Sequence, residues 1–191
     1  GNTNSKSDLN LWLNADALGL SNGAAVSSWT DQSGTGNHMV QYNGGNPTYI
    51  TNSLNSRPIV RYDGNNYTYT PTSFNNPYTI LTVSKNTGSS RFISSVNVNW
   101  LLGIWGGTKD VMHTDGWVTY PGTGIDANAY IWSSYGNSRA TRFFKNGADI
   151  TGNQTGGLSA PGQLSIGGWS TGSEKSPGDA AEIVLFKNVL N

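Results

Sequence analysis

The hydrophobic pattern near the end of the sequence predicts a strand, a loop and a second strand. Leu164 and Ile166 alternate with small residues, which is typical of a half-buried strand, and turn formers fill positions 170–178. From residue 181 to residue 186, apolar side chains occupy both the odd and the even positions. This second strand is therefore predicted to lie inside a sheet, with apolar contacts on both of its faces.

Glu182 interrupts that apolar run. A carboxylate in a buried strand is costly unless it is hydrogen-bonded. We therefore expect Glu182 to accept hydrogen bonds from a backbone N–H, a hydroxyl or an arginine, and not to line an open cleft. The strand also needs a partner, and the first hydrophobic run of the chain, residues 9–13, is the best candidate. We predict that the two strands are antiparallel neighbours in one sheet.

Short apolar runs separated by turn residues continue along the whole chain. Residues 78–85 have the strongest β-propensity, residues 129–135 and 140–145 form a hairpin-like pair, and Asn146-Gly147 is a two-residue hairpin signal. Strands every 8 to 12 residues are typical of a sandwich or jelly roll. The sequence predicts an all-β, two-sheet antiparallel jelly-roll sandwich with little or no helix. We expect a single domain over residues 1–191, in which residues 1–8 are flexible.

Composition supports this class and excludes others. The chain holds 25 Gly, 23 Asn and 22 Ser but only two Glu, which disfavours helices, while seven Trp and nine Tyr supply large apolar surfaces for a core. The 11 basic and 11 acidic residues balance and the basic ones are scattered, so no nucleic-acid partner is expected. The sequence contains no apolar run of about 18 residues, so we expect no membrane insertion. Without cysteine there is no disulfide, thiolate metal site or cysteine nucleophile.

Seven segments in order resemble the laminin-G-like, concanavalin-A-like jelly-roll superfamily, above all its bacterial branch attached to secreted enzymes and surface proteins. The segments are LWLNADA, SSWTDQSGTGN, NSRPIVRYDG, PYTILTVSK, FFKNG, LSIGGW and GDAAEIVLF. The resemblance covers nearly the whole chain and implies the fold more specifically than the function. Lectins, carbohydrate-binding modules, glycosidases, lyases and adhesion domains all use this fold.

The sequence predicts no catalytic residue. Glycosidases usually need two carboxylates about 5–10 Å apart, and the Glu-x-Asp-x-x-Glu strand of the glucanases with this fold is missing. The Arg-Glu-Arg and Gln-Ile-His strands of its alginate lyases are missing as well. Asp110, Asp115 and Asp126 lie in glycine-rich turns, where aspartate more often caps a turn than catalyses a reaction. We therefore expect a chain that is not an enzyme.

The resemblance also implies a structural calcium ion, although we expect no cofactor to be required. Many members of the superfamily hold Ca²⁺ through backbone carbonyls and a carboxylate, and Asp16 and Asp179 are the matching candidates. The alternative is that both aspartates cap turns. His38 and His113 have no zinc-like spacing.

A binding surface is predicted from the alternation of the middle strands. If Leu102, Ile104, Met112, Ile131 and Phe143 face the core, the residues beside them face away from it. Trp and Tyr rings stack on sugar rings, while polar side chains bind hydroxyl groups. The predicted ligand-binding set comprises Trp105, His113, Asp115, Tyr130, Trp132 and Arg142.

These observations predict a non-catalytic, lectin-like carbohydrate-binding domain of a secreted or surface protein. Its partner would be a polysaccharide or glycan, and the domain would belong to a larger chain. The alternative is a structural or adhesive interaction domain of a surface or viral-fibre protein, without a glycan site.

Overall fold

A computed structural model describes residues 6–153 and 156–190, which form 17 strands and two short 3-10 helices. The helices span Lys6–Asp8 and Ala15–Leu18. The strands are β1 (Leu9–Asn14), β2 (Ser28–Trp29), β3 (Met39–Asn43), β4 (Thr48–Leu54), β5 (Arg57–Tyr62), β6 (Tyr67–Phe74), β7 (Tyr78–Asn86), β8 (Ile93–Ser95), β9 (Trp100–Trp105), β10 (Thr108–Thr114), β11 (Trp117–Thr119), β12 (Thr123–Gly124), β13 (Ala129–Gly136), β14 (Thr141–Lys145), β15 (Ala148–Asp149), β16 (Gly162–Ile166) and β17 (Gly178–Phe186).

The strands form two antiparallel sheets, as the sequence predicted. The eight-stranded sheet has the order β15-β14-β13-β7-β17-β5-β4, with β1 also paired to β17. The nine-stranded sheet has the order β11-β10-β9-β8-β16-β6-β3-β2, with β12 also paired to β10. Within the described residues, no helix is long and apolar enough to span a membrane.

The predicted pairing of the first and last strands is confirmed. β1 lies antiparallel to β17, and Leu13 is opposite Ile183. β17 is an interior strand, because β7 pairs with its other edge. The expectation that residues 1–8 are flexible falls partly outside the described residues, since residues 1–5 are not described, and Lys6–Asp8 form the first 3-10 helix.

The prediction for Glu182 is wrong in two respects. Its carboxylate accepts a hydrogen bond of 2.7 Å from the indole Nε1–H of Trp12, a donor that we did not predict. It also lines a cleft of about 440 Å³, together with Asn14, Asp16 and Arg57. The reason is a bulge in β17, where the register shifts between Ala180 and Glu182 and turns the carboxylate to the outer face of the sheet.

Large aromatic side chains fill the core between the sheets. Trp29, Trp100 and Tyr78 are almost completely buried. The indole Nε1–H of Trp100 donates to the Tyr78 hydroxyl at 3.2 Å, so these polar atoms are satisfied inside the core. Burial raises the pKa of Tyr78 to about 12.

A buried carboxylate organises the loop between β2 and β3. Asp31 accepts backbone N–H bonds from Trp12, Ser33 and Asn37, each at 2.9 Å, and hydroxyl bonds from Ser33 and Thr35. Burial by itself would raise the pKa of Asp31, but these hydrogen bonds outweigh it and lower the pKa below its usual value. The loop segment Ser33-Gly-Thr-Gly-Asn37 therefore has a structural role, since its donors fold around one carboxylate.

We predict that Asp31→Asn lowers the free energy of unfolding at pH 7 by about 1–3 kcal/mol, because an amide cannot accept all of these hydrogen bonds. The lowered pKa makes the contribution of Asp31 complete above the unfolded-state pKa of about 3.9. That contribution is lost as the pH falls through the folded-state pKa. Urea unfolding at pH 7 and pH 3 measures this effect. The free energies of unfolding of variant and wild type should differ less at pH 3 than at pH 7.

Asp63→Asn is the control for this prediction. Asp63 is exposed at a turn and accepts backbone N–H bonds from Asn65 and Asn66. Asp63→Asn should lower the free energy of unfolding at pH 7 by less than Asp31→Asn does. An equal loss in both variants would show that the Asp31 network does not stabilise the fold.

Candidate functional site

Four aromatic side chains lie together on the outer side of the nine-stranded sheet, and we call them the aromatic face. The neighbours of three of them in β9, β10 and β11 are buried in the core, which directs these three away from it, and the fourth follows β11 and stacks on one of the three. The aromatic face consists of Trp105, His113, Trp117 and Tyr120.

The rings of the aromatic face contact one another in a continuous row. Trp117 stacks on Tyr120 with ring centroids 4.4 Å apart and an interplanar angle of 24°. The ring centroids of Trp105 and Trp117 are 5.3 Å apart. The His113 ring meets the Trp117 ring edge-on, with centroids 4.7 Å apart. Tyr120 is 40% exposed, so the row reaches the protein surface.

The β10–β11 hairpin places His113 and Trp117 opposite each other. Asp115, at the turn, has a φ of 61°, and its backbone N–H donates to the carbonyl of Asn99 at 2.8 Å. The register between the two strands shifts at Met112 and His113. This irregularity lies close to the Asp-Gly signal in the sequence and leaves Trp117 on the same side as His113.

A polar cluster supports the Trp105 ring from the loop that precedes β17. One carboxylate oxygen of Glu174 accepts from the Trp105 indole N–H at 2.9 Å and from Arg91 Nε at 2.6 Å. The Arg91 guanidinium also lies 4.2 Å from the centre of the Trp169 ring. Burial lowers the pKa of Arg91, and its ion pair with Glu174 only partly opposes this effect. Glu174 therefore couples the loop to the aromatic face.

His113 has a defined hydrogen-bonding role. Its Nδ1 lies 2.8 Å from the carbonyl oxygen of Asn99. A carbonyl can only accept, so Nδ1 carries the proton. In the neutral ring, Nε2 is then left as an acceptor for another group.

The structure separates the six residues that the alternation argument grouped together. Trp105 and His113 belong to the aromatic face, and Asp115 is exposed in the adjacent turn. Tyr130 and Trp132 lie on β13 in the other sheet, at the end of the sandwich. Their separation follows from the sheet order, in which β13 and β9 belong to different sheets.

The predicted orientation of β13 is wrong. Trp132 is buried with 1% of its surface exposed, and it stacks on Phe143 at 5.6 Å, whereas Ile131 is 48% exposed. Tyr130 shares the inner side and packs against the core. Both faces of β13 carry apolar residues, so alternation alone could not choose between them. Burying the larger indole removes more apolar surface from water.

Arg142 is also remote from the aromatic face. It lies on β14, next to the buried Phe143, and its side chain is exposed. Its guanidinium is 3.5 Å from the carboxylate of Asp149, and both side chains are about half exposed. This pair belongs to the surface of the eight-stranded sheet.

Our sequence analysis missed Trp117, Tyr120 and Glu174. Assigning the β-branched Val118 to the core could have indicated that Trp117 faces outward, because adjacent strand residues point to opposite sides, and Val118 is indeed buried. Nothing in the sequence placed Glu174, because it reaches Trp105 from 69 residues away.

The two calcium candidates are engaged with arginines. Asp179 forms two hydrogen bonds with the Arg61 guanidinium, at 2.8 and 2.9 Å, and these bonds raise the pKa of Arg61. Asp16 pairs with Arg57 at 2.9 Å on the surface. Among residues 6–153 and 156–190, no group of three or more His, Cys, Asp or Glu is arranged to hold a metal. A site built from backbone carbonyls stays a prediction.

Comparison with solved structures finds this fold in proteins that act on or bind carbohydrates, and in the binding domain of a mosquitocidal protein. Domain 4 of AbnA, a GH43 extracellular arabinanase from Geobacillus stearothermophilus solved with arabinotriose, has a TM-score of 0.67 at 13% identity. The alignment covers 96% of this chain and 94% of that domain. Trypanosoma rangeli sialidase in complex with sialic acid has a TM-score of 0.59 at 14% identity over 100% of this chain. The binding domain of Paraclostridial Mosquitocidal Protein 1 has a TM-score of 0.62 at 11% identity over 97% of this chain.

These likenesses establish the fold. This chain spans 32% of the sialidase chain and 50% of the mosquitocidal chain. The shared β-sandwich is consistent with the concanavalin-A-like jelly roll that the sequence motifs predicted, while the laminin-G-like branch stays a prediction. No family model and no curated protein sequence matches the chain.

We predict that Glu174→Ala lowers the free energy of unfolding by about 1–3 kcal/mol, because it leaves the buried Arg91 without its carboxylate. Glu174 is itself about one-third exposed, so the loss should lie in the lower part of that range. Urea unfolding of the Glu174→Ala variant and the wild type measures this loss of free energy. Arg142→Ala, which breaks the exposed pair with Asp149, should lower the free energy of unfolding by less than about 0.5 kcal/mol. Equal losses would contradict a supporting role for Glu174.

Proposed function

We propose that this chain is a non-catalytic carbohydrate-binding domain whose ligand lies on the aromatic face. The observation that carries the proposal is the row of contacting rings formed by Trp105, Trp117 and Tyr120, which reaches the surface of the nine-stranded sheet. Contiguous aromatic surface on a soluble protein is typical of a binding site.

The chemistry of the face suits a sugar. The C–H side of a sugar ring is apolar and packs on aromatic rings, while its hydroxyls need hydrogen-bond partners. Nε2 of His113 is an acceptor next to Trp117, and the exposed Asp115 carboxylate adds further acceptors. The face therefore combines stacking surfaces with groups that select hydroxyls.

The structural neighbours support the same ligand class. Domain 4 of the arabinanase was solved with arabinotriose and the sialidase with sialic acid. At 13–14% identity, these complexes do not identify the sugar for this chain. They make arabinotriose and sialic acid reasonable first ligands to test.

The positions of the carboxylates support a non-catalytic role. The two glutamates lie on opposite sides of the sandwich: Glu174 binds Trp105 over the nine-stranded sheet, and Glu182 binds Trp12 on the eight-stranded sheet. Glycoside hydrolysis usually needs two carboxyl groups about 5–10 Å apart across one bond. Two separated glutamates do not provide this arrangement.

The proposed ligand also suggests where the domain acts and what kind of chain it belongs to. We propose a domain of a secreted or surface protein that tethers a larger chain to polysaccharide or glycan. Two of the structural neighbours are much longer than this chain, which agrees with a multidomain parent. No cofactor is required for binding by stacking and hydroxyl contacts.

An adhesive domain that binds protein is the second candidate. Exposed tryptophan and tyrosine are also typical of protein–protein hot spots, and one structural neighbour is the binding domain of a mosquitocidal protein. A glycan array distinguishes the two candidates, because a protein-binding face would leave every glycan unbound.

We predict that the isolated domain binds a glycan on such an array with micromolar to millimolar affinity, as expected for a shallow site. Trp117→Ala and Trp105→Ala should each weaken binding at least about tenfold, since each removes a stacking surface worth about 1.4 kcal/mol or more. Isothermal titration calorimetry with the best array ligand, and with arabinotriose, measures the change.

Tyr42→Ala is the matched control. Tyr42 is an exposed aromatic residue on β3, one strand from the opposite edge of the same sheet, where it contacts Tyr67 and Tyr69. The Tyr42→Ala substitution should leave the affinity for the glycan unchanged. The proposal fails if the Trp117 and Trp105 variants bind as tightly as the wild type while remaining folded.

We also predict that the domain does not cleave its ligand. Prolonged incubation with the array-selected glycan should release no new reducing ends, measured by chromatography. Cleavage that is lost in Glu182→Gln or Glu174→Gln would overturn the non-catalytic assignment.

A further inference from the structure

A second concave region lies at one end of the sandwich, between the two sheets, and we call it the end pocket. It has an inner cavity of about 10 Å³ and an adjoining outer cleft of about 230 Å³. Asn86, Ile125 and Asp126 line both parts. The inner cavity is also lined by Ile104, Lys109, Asn128, Tyr130 and Trp132.

Two buried polar atoms on the lining of the inner cavity have no hydrogen-bond partner. They are the indole Nε1–H of Trp132 and the amide oxygen of Asn86. Trp132 is 1% exposed and Asn86 is 8% exposed. Leaving a buried donor or acceptor unsatisfied costs about 1–3 kcal/mol. A group that bonded to both atoms would remove that cost.

Gly103 leaves room beside these two side chains. A Cβ at this position would lie 3.4 Å from Trp132 Nε1 and 3.5 Å from the Asn86 amide nitrogen. Gly103 also has a φ of 101°, which residues with side chains rarely adopt. The backbone of β9 therefore passes close to both side chains, and no side chain at position 103 occupies the space beside them.

The charges around the pocket are already paired. The Lys109 Nζ atom lies 2.5 Å from a carboxylate oxygen of Asp126. The Lys145 Nζ atom lies 3.0 Å from a carboxylate oxygen of Asp110. Lys145 also lies 4.2 Å from the centre of the Tyr130 ring. Two lysines and two aspartates balance, so the pocket holds no spare charge for an ionic ligand.

An unpartnered donor and an unpartnered acceptor on residues that line one cavity match a hydroxyl group, which can accept one hydrogen bond and donate another. An inner cavity of about 10 Å³ has the size for one such oxygen. The outer cleft is smaller than the 300–1,000 Å³ that is typical for drug-sized ligands. Ile125, 49% exposed, offers apolar surface there.

We propose that the end pocket is a second ligand site, which takes the terminal ring of a neutral saccharide. One ring hydroxyl enters the inner cavity, accepts from Trp132 Nε1–H and donates to Asn86 Oδ1. The ring itself occupies the outer cleft against Ile125. The proposal rests on the proposed function for its ligand class only, since none of its lining residues belongs to the aromatic face.

The test follows the indole N–H resonances of the ¹⁵N-labelled domain while a neutral monosaccharide is added. Methyl glycosides of arabinose, xylose and galactose serve as probes, at up to roughly 100 mM, because a single ring is expected to bind weakly. The Trp132 resonance should shift in a saturable way with at least one probe. The Trp29 resonance should not shift, although its Nε1–H is also buried and unpartnered, because Trp29 does not line the pocket.

Trp132→Phe and Trp29→Phe form a matched pair of variants. Each removes a buried, unpartnered N–H and keeps an aromatic ring. The Trp132 change should weaken monosaccharide binding by about fivefold, the order expected for one neutral hydrogen bond, and the Trp29 change should have no effect. Ile125→Ser at the exposed mouth should also weaken binding, which tests the site even if Trp132→Phe does not fold.

Three results would overturn the proposal. The first is an unchanged Trp132 resonance at the highest concentration of every probe, which would mean that the cavity holds only water. The second is equal binding by Trp132→Phe and the wild type. The third is binding of N-acetylneuraminic acid as tight as that of the neutral probes, because an unpaired carboxylate should be disfavoured here. Trp117→Ala separates this proposal from the proposed function: it should weaken binding at the aromatic face and leave the Trp132 shift intact.

Discussion

The pairing of β17 with strands on both of its edges is the constraint on which the eight-stranded sheet depends. β7 follows one edge over nearly its full length, while β5 and then β1 share the other. The change from β5 to β1 occurs where the register of β17 shifts, between Ala180 and Glu182. This bulge lets one strand hold two partners end to end. It also turns Glu182 outward, where Trp12 donates to it.

The aromatic face and the end pocket are products of different parts of this architecture. The face is built on a regular feature, the alternation of β9, β10 and β11, and it is supported by Glu174 from a distant loop. The end pocket lies between residues of both sheets, and Gly103 leaves space there beside Trp132. A row of contacting rings suits an extended chain of sugars, whereas a narrow cavity suits a chain end. A domain with both would contact a glycan along its length and at its terminus, which adds avidity when both contacts are made together.

Buried polar groups distinguish the structural features from the candidate functional ones. Asp31 is surrounded by donors, and its hydrogen bonds are complete enough to lower its pKa in spite of burial. Trp132 and Asn86 are equally enclosed, but their polar atoms lack partners. A satisfied carboxylate stabilises a loop, while unsatisfied atoms beside a cavity favour a ligand. This difference could not be inferred from residue type, because each side chain is a common component of a core or a turn.

Local patterns in the sequence were sufficient to predict the fold class, the pairing of the terminal strands and the core positions of Leu102, Ile104 and Met112. Period-two alternation and turn chemistry are local properties, so they can be detected without a structure. They also placed Trp105 and His113 together on an outer face. The buried side of β13 depends on long-range packing, because both sides carry apolar residues and the stacking of Trp132 on Phe143 selects one of them. Contacts such as Glu174 with Trp105 join distant parts of the chain, and no local pattern encodes them.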